Sequence, residues 1–118
     1  MSALAREGRG GLLAMPDGNT LVHRRTIIAL ANRYRLPAIY WNRPFVDDGG
    51  LMSYAADNLD LWRRAAVYVD RILNGARPAG LPVQQPTKFE LAINLNTAKA
   101  RGFTLAKSLL ATADEVIE

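Results

Sequence analysis

Hydrophobic positions along the chain alternate between short apolar runs and segments with helical spacing. Runs at residues 11–15 and 36–41 are bounded by proline or glycine and are too short for helices, so they predict two buried strands. Residues 20–35 between them carry apolar side chains at helical spacing, with Asn19 or Thr20 as the predicted N-cap. A strand, a helix and a strand in this order predict a parallel pair joined by a crossover, and therefore an α/β fold.

The strongest helical pattern covers residues 57–74, with Gly75 as its predicted C-cap. A loop at 42–50 and a brief predicted strand at 51–54 precede this helix. One side of the helix is a continuous apolar stripe formed by Trp62, Ala65, Ala66, Val69, Ile72 and Leu73. A stripe of this width predicts a helix that packs against another apolar surface.

The last third of the chain begins with a connector rich in proline and glycine at residues 76–86. Alternating apolar positions at 89–95 then predict a half-buried strand, followed by a short helix at 96–101 that Gly102 closes. The tail is predicted to be helical at 105–110 and frayed at its acidic end. A chain of 118 residues with this content accommodates one domain at most.

Composition removes several classes of function. The chain has no cysteine, which excludes disulfides, Cys-ligated zinc and a thiol nucleophile. Its net charge is +4, but the basic residues are interleaved with acidic ones and form no run with aromatics, so we expect solvated faces and no nucleic-acid partner. No stretch approaches the ~18 apolar residues of a membrane span, and the N-terminus lacks a signal-peptide pattern. A cytoplasmic location is the expectation for the chain as written.

No catalytic motif stands out. His23 is the only histidine and is predicted to lie on a helix face, while Ser53 and Ser108 stand outside any Gly-x-Ser-x-Gly elbow. The glycine-rich residues 8–11 precede a strand instead of following one, which argues against a phosphate loop. The acidic pair at 47–48 offers too few oxygens for calcium. We therefore expect no enzyme activity, no cofactor and no metal site.

Two loops are better candidates for binding, because ligands bind outside the carboxyl ends of parallel strands. Asp17 can accept a hydrogen bond from a ligand amine, while Asn19 and nearby helix amides can bind a carboxylate. An equally open alternative is that these two residues only form the turn and cap the helix. Tyr40 and Trp41 end the second strand and offer flat apolar area, although adjacent strand residues point to opposite faces and one of them can belong to the core.

Five segments, in a fixed order, carry a resemblance to a known family. They lie at residues 12–17, 27–40, 49–54, 62–79 and 81–95, and include Leu-Leu-Ala-Met-Pro-Asp and Gly-Gly-Leu-Met-Ser-Tyr. Together they resemble the C-terminal part of bacterial ABC-transporter substrate-binding proteins of the tryptophan/tyrosine-type branch. The double proline usual in the family's final segment is replaced here by Ala106 and Lys107.

The resemblance implies part of a two-lobe type I periplasmic-binding-protein fold, with Rossmann-like three-layer α/β/α lobes. Residues 11–48 and 85–118 would belong to the C-terminal lobe, and residues 51–77 would be a crossover segment and a helix packing on the N-terminal lobe. The family implies a small amino-acid-like solute, an ABC permease as partner, and a periplasmic or membrane-anchored location. It places Asp17, Asn19, Gly50 and Tyr54 at or next to the cleft, and Gly49 with Gly50 at a hinge.

A second hypothesis remains open beside solute binding. If the resemblance holds, the family's upstream lobe is expected to be missing from this chain and the stripe at 57–74 to be exposed, and large apolar patches rarely persist on soluble monomers. The expectation is a homodimer through this helix. The alternative function is a truncated, non-binding remnant that folds as an oligomer.

Overall fold

Five strands form one sheet in the order β1-β2-β3-β4-β5. The computed structural model describes all residues, 1–118. Its elements are α1 (Ser2–Arg6), β1 (Leu12–Ala14), α2 (Gly18–Val22), α3 (Arg24–Arg33), β2 (Ala38–Tyr40), α4 (Pro44–Asp47), β3 (Met52–Ala56), α5 (Asn58–Leu73), a 3-10 turn (Pro78–Gly80), β4 (Phe89–Asn94), α6 (Leu95–Arg101), α7 (Lys107–Thr112) and β5 (Glu115–Ile117). The predicted α/β class is confirmed.

The chain divides into two compact units. Met1–Ala55 with Glu90–Glu118 form the larger unit, and Ala56–Phe89 form the smaller one. No helix in either unit has the length and apolar character needed to span a membrane.

Strand direction changes once across the sheet. The β1/β2, β2/β3 and β4/β5 pairs are parallel, which confirms the predicted parallel β1–β2 pair. The Asn94 amide donates to the Leu51 carbonyl at 2.9 Å, and the Asp57 amide donates to the Lys88 carbonyl at 3.0 Å. From the first of these bonds to the second, the residue number rises from 51 to 57 on the β3 side and falls from 94 to 88 on the β4 side, so β3 and β4 run antiparallel. The amino ends of β4 and β5 therefore lie at the same edge of the sheet as the carboxyl ends of β1 and β2.

Helices α3 and α4 cover one face of β1 and β2. The core there consists of Ala14, Ile28, Ala31, Ala38, Tyr40 and Phe45. The rings of Tyr40 and Phe45 are stacked, with centroids 4.7 Å apart. Burial raises the pKa of the Tyr40 phenol to about 12, because the phenolate is disfavoured away from water.

The opposite face of these strands is open. Leu13, Ile39 and Met52 line a shallow apolar cavity of about 370 Å³ on that side. The layer arrangement of the larger unit is therefore partial.

The predicted helix at 20–35 is two helices, α2 and α3, which meet at His23. His23 has φ −94° and ψ 15°, outside the regular helical values, and its side chain is exposed. The predicted N-cap was also wrong. Asp17 caps α2, with its Oδ1 accepting from the amides of Asn19 at 2.8 Å and Thr20 at 3.3 Å. Because α2 begins at Gly18, its first free amides are those of Asn19 and Thr20, and the aspartate just before the helix satisfies them.

Two elements were missed by the sequence pattern. The loop at 42–50 contains α4, a single helical turn that begins at Pro44, where a missing amide hydrogen costs nothing. The acidic tail, expected to fray, forms β5 beside β4. Both elements depend on contacts with residues distant in the chain, which local spacing does not disclose.

The backbone of Gly50 lies against the aromatic core. A Cβ at this position would be 2.6 Å from the Phe45 carbonyl oxygen and 2.7 Å from Cε2 of Tyr40. The Gly50 amide donates to that same carbonyl at 2.7 Å. The preceding Gly49 carbonyl accepts from the side chains of Asn32 at 3.2 Å and Thr97 at 3.0 Å. Only glycine fits this turn between α4 and β3.

Arg43 joins α4 to the amino ends of β4 and β5. Its Nε donates to Asp47 Oδ1 at 2.9 Å, and Nη1 donates to Glu90 Oε1 at 3.4 Å. Its guanidinium also pairs with both carboxylate oxygens of Glu115. The hydrogen bond from Arg43 lowers the pKa of Glu115, and the same bond raises the pKa of Arg43.

In the smaller unit, α5 packs on its own connector. Arg64 donates to Asp60 Oδ2 at 2.8 Å and to Thr87 Oγ1 at 2.6 Å, and the Tyr68 hydroxyl donates to the Pro82 carbonyl. Asp57 caps the helix by accepting from the amides of residues 59 and 60.

The Asp57 carboxylate also pairs with the Lys88 ammonium at 2.8 Å. This hydrogen bond lowers the pKa of Asp57 and raises that of Lys88. Asp57 therefore caps α5 and, through Lys88, also joins the two ends of the chain segment that forms the smaller unit.

Replacing Gly50 by alanine tests the aromatic turn. The added Cβ would overlap the Phe45 carbonyl oxygen. Because this oxygen belongs to the backbone, it cannot move aside as the end of a flexible side chain could. We expect Gly50→Ala to lower the free energy of unfolding by about 2–3 kcal/mol in equilibrium urea titrations. Gly80→Ala is the control, because a Cβ there meets nothing within 4 Å, and it should change stability by less than ~0.5 kcal/mol. Equal effects of the two substitutions would show that the turn is not tightly packed.

The Arg43–Glu115 pair predicts an acid-sensitive β5. A lowered folded-state pKa means that the pair stabilises the fold above the ordinary carboxyl value of 4.5 and that this contribution disappears as pH falls below it. Glu115→Gln should therefore reduce stability at neutral pH, by up to ~1 kcal/mol for a partly exposed pair, and weaken the pH dependence below pH 4.5. Urea titrations across pH measure both effects. Glu118→Gln, at an exposed carboxylate, is the control, and an identical pH profile for both variants would contradict the assignment.

Candidate ligand-binding site

A row of three neighbouring side chains begins where β1 and β2 end and continues onto β3. The strand register aligns Ala14 with Tyr40, and Tyr40 with Ser53. The next residues along the three strands are Met15, Trp41 and Tyr54, which we call the carboxyl-edge row. Met15 is 62% exposed and Tyr54 is 54% exposed, while Trp41 is half-buried. Adjacent strands are about 4.8 Å apart, so the row offers a continuous, largely apolar surface.

The turn after β1 fixes the orientation of Trp41. The Trp41 Nε1 donates to Thr20 Oγ1 at 3.2 Å, and Thr20 Oγ1 donates to the Asp17 carbonyl at 2.7 Å. The Trp41 indole also meets the ring of Phe45 edge-on at 6.2 Å. The loops after β1 and β2 are therefore joined by a hydroxyl bridge that holds a large aromatic ring in place.

Asp17 and Asn19 are both exposed in the β1–α2 turn. Asp17 is the N-cap of α2, which supports the capping interpretation for this residue. The amides expected to receive a ligand carboxylate, those of Asn19 and Thr20, donate instead to the Asp17 side chain. The exposed polar groups of this turn are thus the Asp17 carboxylate and the Asn19 side-chain amide.

Tyr40 and Gly50 lie beneath the row and not on it. Tyr40 is 1% exposed and shares the core with Phe45, and Gly50 is buried against both residues. Of the two adjacent aromatic residues at the end of β2, the structure places Tyr40 in the core and leaves Trp41 at the edge. The alternation of strand side chains required this division, but only the position of α3 and α4 decides which residue is buried.

Arg43 belongs to the same edge and was missed by the sequence reasoning. It stands two residues after Trp41 and neutralises the carboxylates of Glu90 and Glu115, which begin β4 and β5. Only the sheet topology reveals it, because β4 and β5 run antiparallel to β1–β3 and bring their amino ends to the edge where β1 and β2 end. No group of three or more His, Asp or Glu side chains is arranged to hold a metal ion. The edge therefore combines flat apolar area, one exposed carboxylate, one amide and a half-buried cation, which suits noncovalent recognition of a small polar solute.

The chain matches the family described as ABC transporter substrate binding protein over residues 1–117. No curated protein matches it significantly. Among solved structures, a conserved domain protein from Vibrio cholerae O1 biovar El Tor is similar with 27% identity and a TM-score of 0.87, over 97% of this chain and 38% of that one.

Two further structures share the fold at lower identity. An ABC domain in complex with L-Trp from Streptococcus pneumoniae has 24% identity and a TM-score of 0.83, over 98% of this chain and 41% of that one. A ligand-free, open substrate binding protein with adhesive properties from Clostridium difficile has 20% identity and a TM-score of 0.63, over 90% and 36%.

This chain therefore spans about two fifths of the length of its structural relatives. The family model covers nearly every residue, so the resemblance carried by the five sequence segments is confirmed. The chain belongs to the ABC transporter substrate-binding protein family.

Proposed function

We propose that this chain is a solute-binding segment of an ABC import system that binds a small amino-acid-like solute without catalysis. The observation that carries the proposal is the carboxyl-edge row beside the Asp17 turn, in a fold shared with a relative solved in complex with L-Trp. Membership of a substrate-binding family supports the same role.

The exposed groups of the edge suggest how such a solute would be held. The Asp17 carboxylate accepts hydrogen bonds from the solute ammonium, and the Asn19 amide donates to its carboxylate. Trp41 and Tyr54 contact the apolar part of the solute, where flat rings provide large contact area. Tyr40 and Gly50 support this surface from below without contacting the solute. In this proposal, the β2–α4 segment sets the shape of the site and the β1–α2 turn supplies its polarity.

The remaining features of the proposal concern the complete receptor. Residues 11–48 and 85–118 act as lobe-forming segments, and residues 51–77 as a crossover with its helix. The chain then works with further polypeptide of the family fold and delivers its solute to an ABC permease, in the periplasm or at a membrane anchor. The observation in support is that the chain spans only 38% and 41% of two relatives whose fold it shares.

A second candidate function is the non-binding remnant that folds as an oligomer. It is favoured by two apolar surfaces that this chain leaves open: the cavity beside Leu13, Ile39 and Met52, and the exposed side of α5. Such surfaces suit contacts between polypeptides. Solute titration separates the two functions, because a remnant binds no amino acid.

Isothermal titration calorimetry of the purified chain with L-Trp, L-Tyr and L-Leu tests the leading proposal. We expect saturable heat with the aromatic amino acids and a weaker response to leucine, because the row presents rings. Matched titrations with tryptamine and indole-3-propionate, which lack the carboxylate and the ammonium respectively, separate the contributions of Asn19 and Asp17. Absence of heat with every amino acid at millimolar concentration would favour the remnant.

Asp17→Asn separates the charge of this residue from its capping role. Asparagine caps helices as well as aspartate does, so we expect unchanged unfolding midpoints. Removal of the carboxylate should weaken binding of the amino acid about 10–100-fold, the range for a charge-assisted hydrogen bond. Binding of indole-3-propionate, which has no ammonium, should not weaken. Unchanged amino-acid affinity in this variant would remove Asp17 from the site.

Trp41→Leu tests the row. The substitution preserves an apolar side chain but removes the ring and its hydrogen bond to Thr20. We expect at least a ~10-fold loss of affinity for L-Trp, since burying an aromatic ring dominates contacts of this kind. Phe103→Leu, a half-buried residue beside Tyr34 and Leu36 and outside the row, is the control. Equal losses in the two variants would indicate a general loss of stability.

A further inference from the structure

A cavity of about 370 Å³ lies at the amino edge of the sheet, where β1 and β2 begin. Its wall is formed by the end of α1 with residues 8–10, by residues 34–37 between α3 and β2, and by Phe103 after α6. Leu4 holds α1 against the start of β1, since a Cβ at Gly10 would be 2.5 Å from Leu4 Cδ1. Segments that are distant in the chain therefore build this site, which we call the amino-edge cavity.

The amino-edge cavity lies at the opposite edge from the proposed solute site. The chain leaves the larger unit after Ala55, at the end of β3, and returns at Glu90, at the start of β4. Because β3 and β4 are antiparallel, both of these points lie at the carboxyl edge. The solute cleft of an open α/β sheet also lies outside the carboxyl ends of its strands. A second lobe that closes over the solute therefore does not cover this cavity.

The cavity combines an apolar floor with a positively charged rim. Leu36 is buried, and Leu4 and Phe103 are half-buried, which makes the floor apolar. Arg9 and Arg35 line the same cavity and are both exposed. The ion pairs of the larger unit are all formed by other arginines. The guanidinium groups at the rim are therefore free to pair with a ligand.

Further arginines strengthen the positive charge around the cavity. Arg6, Arg33 and Arg101 are exposed, and each stands within two residues of a residue that lines it. Glu7 is the acidic residue next to this group in the chain. The carboxyl ends of α1, α3 and α6 each add about half a negative charge. The arginines outweigh Glu7 and these helix ends together, so the potential at the rim is positive.

The backbone at Arg35 is strained. Its φ is 50°, and it is the one residue other than glycine with a positive φ. The Arg35 amide donates to the Asn32 carbonyl at 3.2 Å, and the Leu36 amide donates to the Ala31 carbonyl at 2.9 Å. This arrangement ends a helix at a position that favours glycine. A side chain kept at a strained position is typical of a functional site, and here the strain sets a guanidinium on the rim.

We propose that the amino-edge cavity binds a phosphate monoester. The phosphate oxygens accept hydrogen bonds from the guanidinium groups of Arg9 and Arg35, whose planar donors match phosphate geometry. A monoester carries a charge of about −1.5 to −2 at neutral pH, which suits this rim better than the single charge of a carboxylate.

The volume of about 370 Å³ lies within the range of small-molecule sites. It leaves room for an organic group against Leu36 and Phe103. The site is separate from the carboxyl edge, and the inference does not rest on the proposed solute.

Titration of the purified chain with phenyl phosphate, followed by isothermal titration calorimetry, tests the ligand class. We expect saturable binding that weakens as salt is added, because added ions screen exposed charges. Inorganic phosphate lacks the ring and benzoate carries one charge, so each should bind about 10-fold more weakly or less. No binding of phenyl phosphate at millimolar concentration, or equal binding of benzoate, would overturn the proposal.

Arg35→Gly tests the site with opposite effects on stability and binding. Glycine adopts a positive φ without strain, so the unfolding midpoint in urea should not fall and is expected to rise. Loss of the guanidinium should weaken phenyl phosphate binding by about 10-fold or more, the range for a charge-assisted hydrogen bond. A loss of affinity in a variant that is no less stable cannot come from misfolding.

Arg9→Gln should weaken binding to a similar degree. Arg71→Gln is the control, because Arg71 is exposed in the smaller unit and does not line the cavity, and its affinity should stay unchanged. Full affinity in both Arg35→Gly and Arg9→Gln, or an equal loss in Arg71→Gln, would contradict the assignment.

Co-sedimentation with vesicles distinguishes a soluble ligand from a lipid headgroup. Phosphatidic acid carries a phosphate monoester, and phosphatidylcholine vesicles without it are the control. Retention on phosphatidic acid that Arg35→Gly abolishes would assign the site to a lipid headgroup. Phenyl phosphate binding without retention would assign it to a soluble monoester. Retention that Arg35→Gly and Arg9→Gln leave unchanged, with no binding of phenyl phosphate, would refute the cavity as the site.

Discussion

The close approach of the Gly50 backbone to the Tyr40–Phe45 stack is the contact on which the larger unit depends. The absence of a side chain at Gly50 lets the chain turn after α4 and enter β3 directly beside β2, and a Cβ would lie within 2.7 Å of both aromatic partners' atoms. Helix α4 thus closes over the sheet as a single turn, too short to persist by itself. Two side-chain hydrogen bonds to the Gly49 carbonyl hold the turn from the other side. The placement of β3 beside β2 at the carboxyl edge depends on this turn.

The candidate site takes its form from that register. Burial of Tyr40 fixes β2, and the alignment of Tyr40 with Ala14 and Ser53 then brings Trp41 next to Met15 and Tyr54. The bridge from Trp41 through Thr20 adds the turn after β1 to the same rigid assembly. The Trp41 ring is thus held in place by Thr20 and Phe45 before any solute binds. Such preorganisation lowers the entropic cost of binding.

Sequence patterns predicted the parts of the fold that local spacing determines. The long amphipathic helix and the β1–β2 parallel pair were clear because their periodicities extend over many residues, and Gly102 closes α6 in the left-handed conformation that favours glycine. The α4 turn and β5 were not predictable, since each is decided by distant partners, and the apolar spacing continues through His23 without a sign of the break there. The Arg43 cluster depends on a strand reversal across 47 and 72 residues of chain. For the candidate site, strand periodicity showed that only one of Tyr40 and Trp41 could face the core, and helix packing decided that it is Tyr40.

The chemistry of the three open surfaces separates solute recognition from assembly. The carboxyl edge combines aromatic rings with the exposed Asp17 carboxylate and the Asn19 amide, beside an Arg43 guanidinium that is already paired with three carboxylates. The sheet face at Leu13, Ile39 and Met52 and the stripe on α5 have no such polar groups within them. An amino acid would leave its charged ends unpaired on either surface, and an unpaired charge removed from water costs more than apolar contact returns. These two surfaces therefore suit apolar contacts with polypeptide, and the polar groups that the proposed solute requires lie at the carboxyl edge.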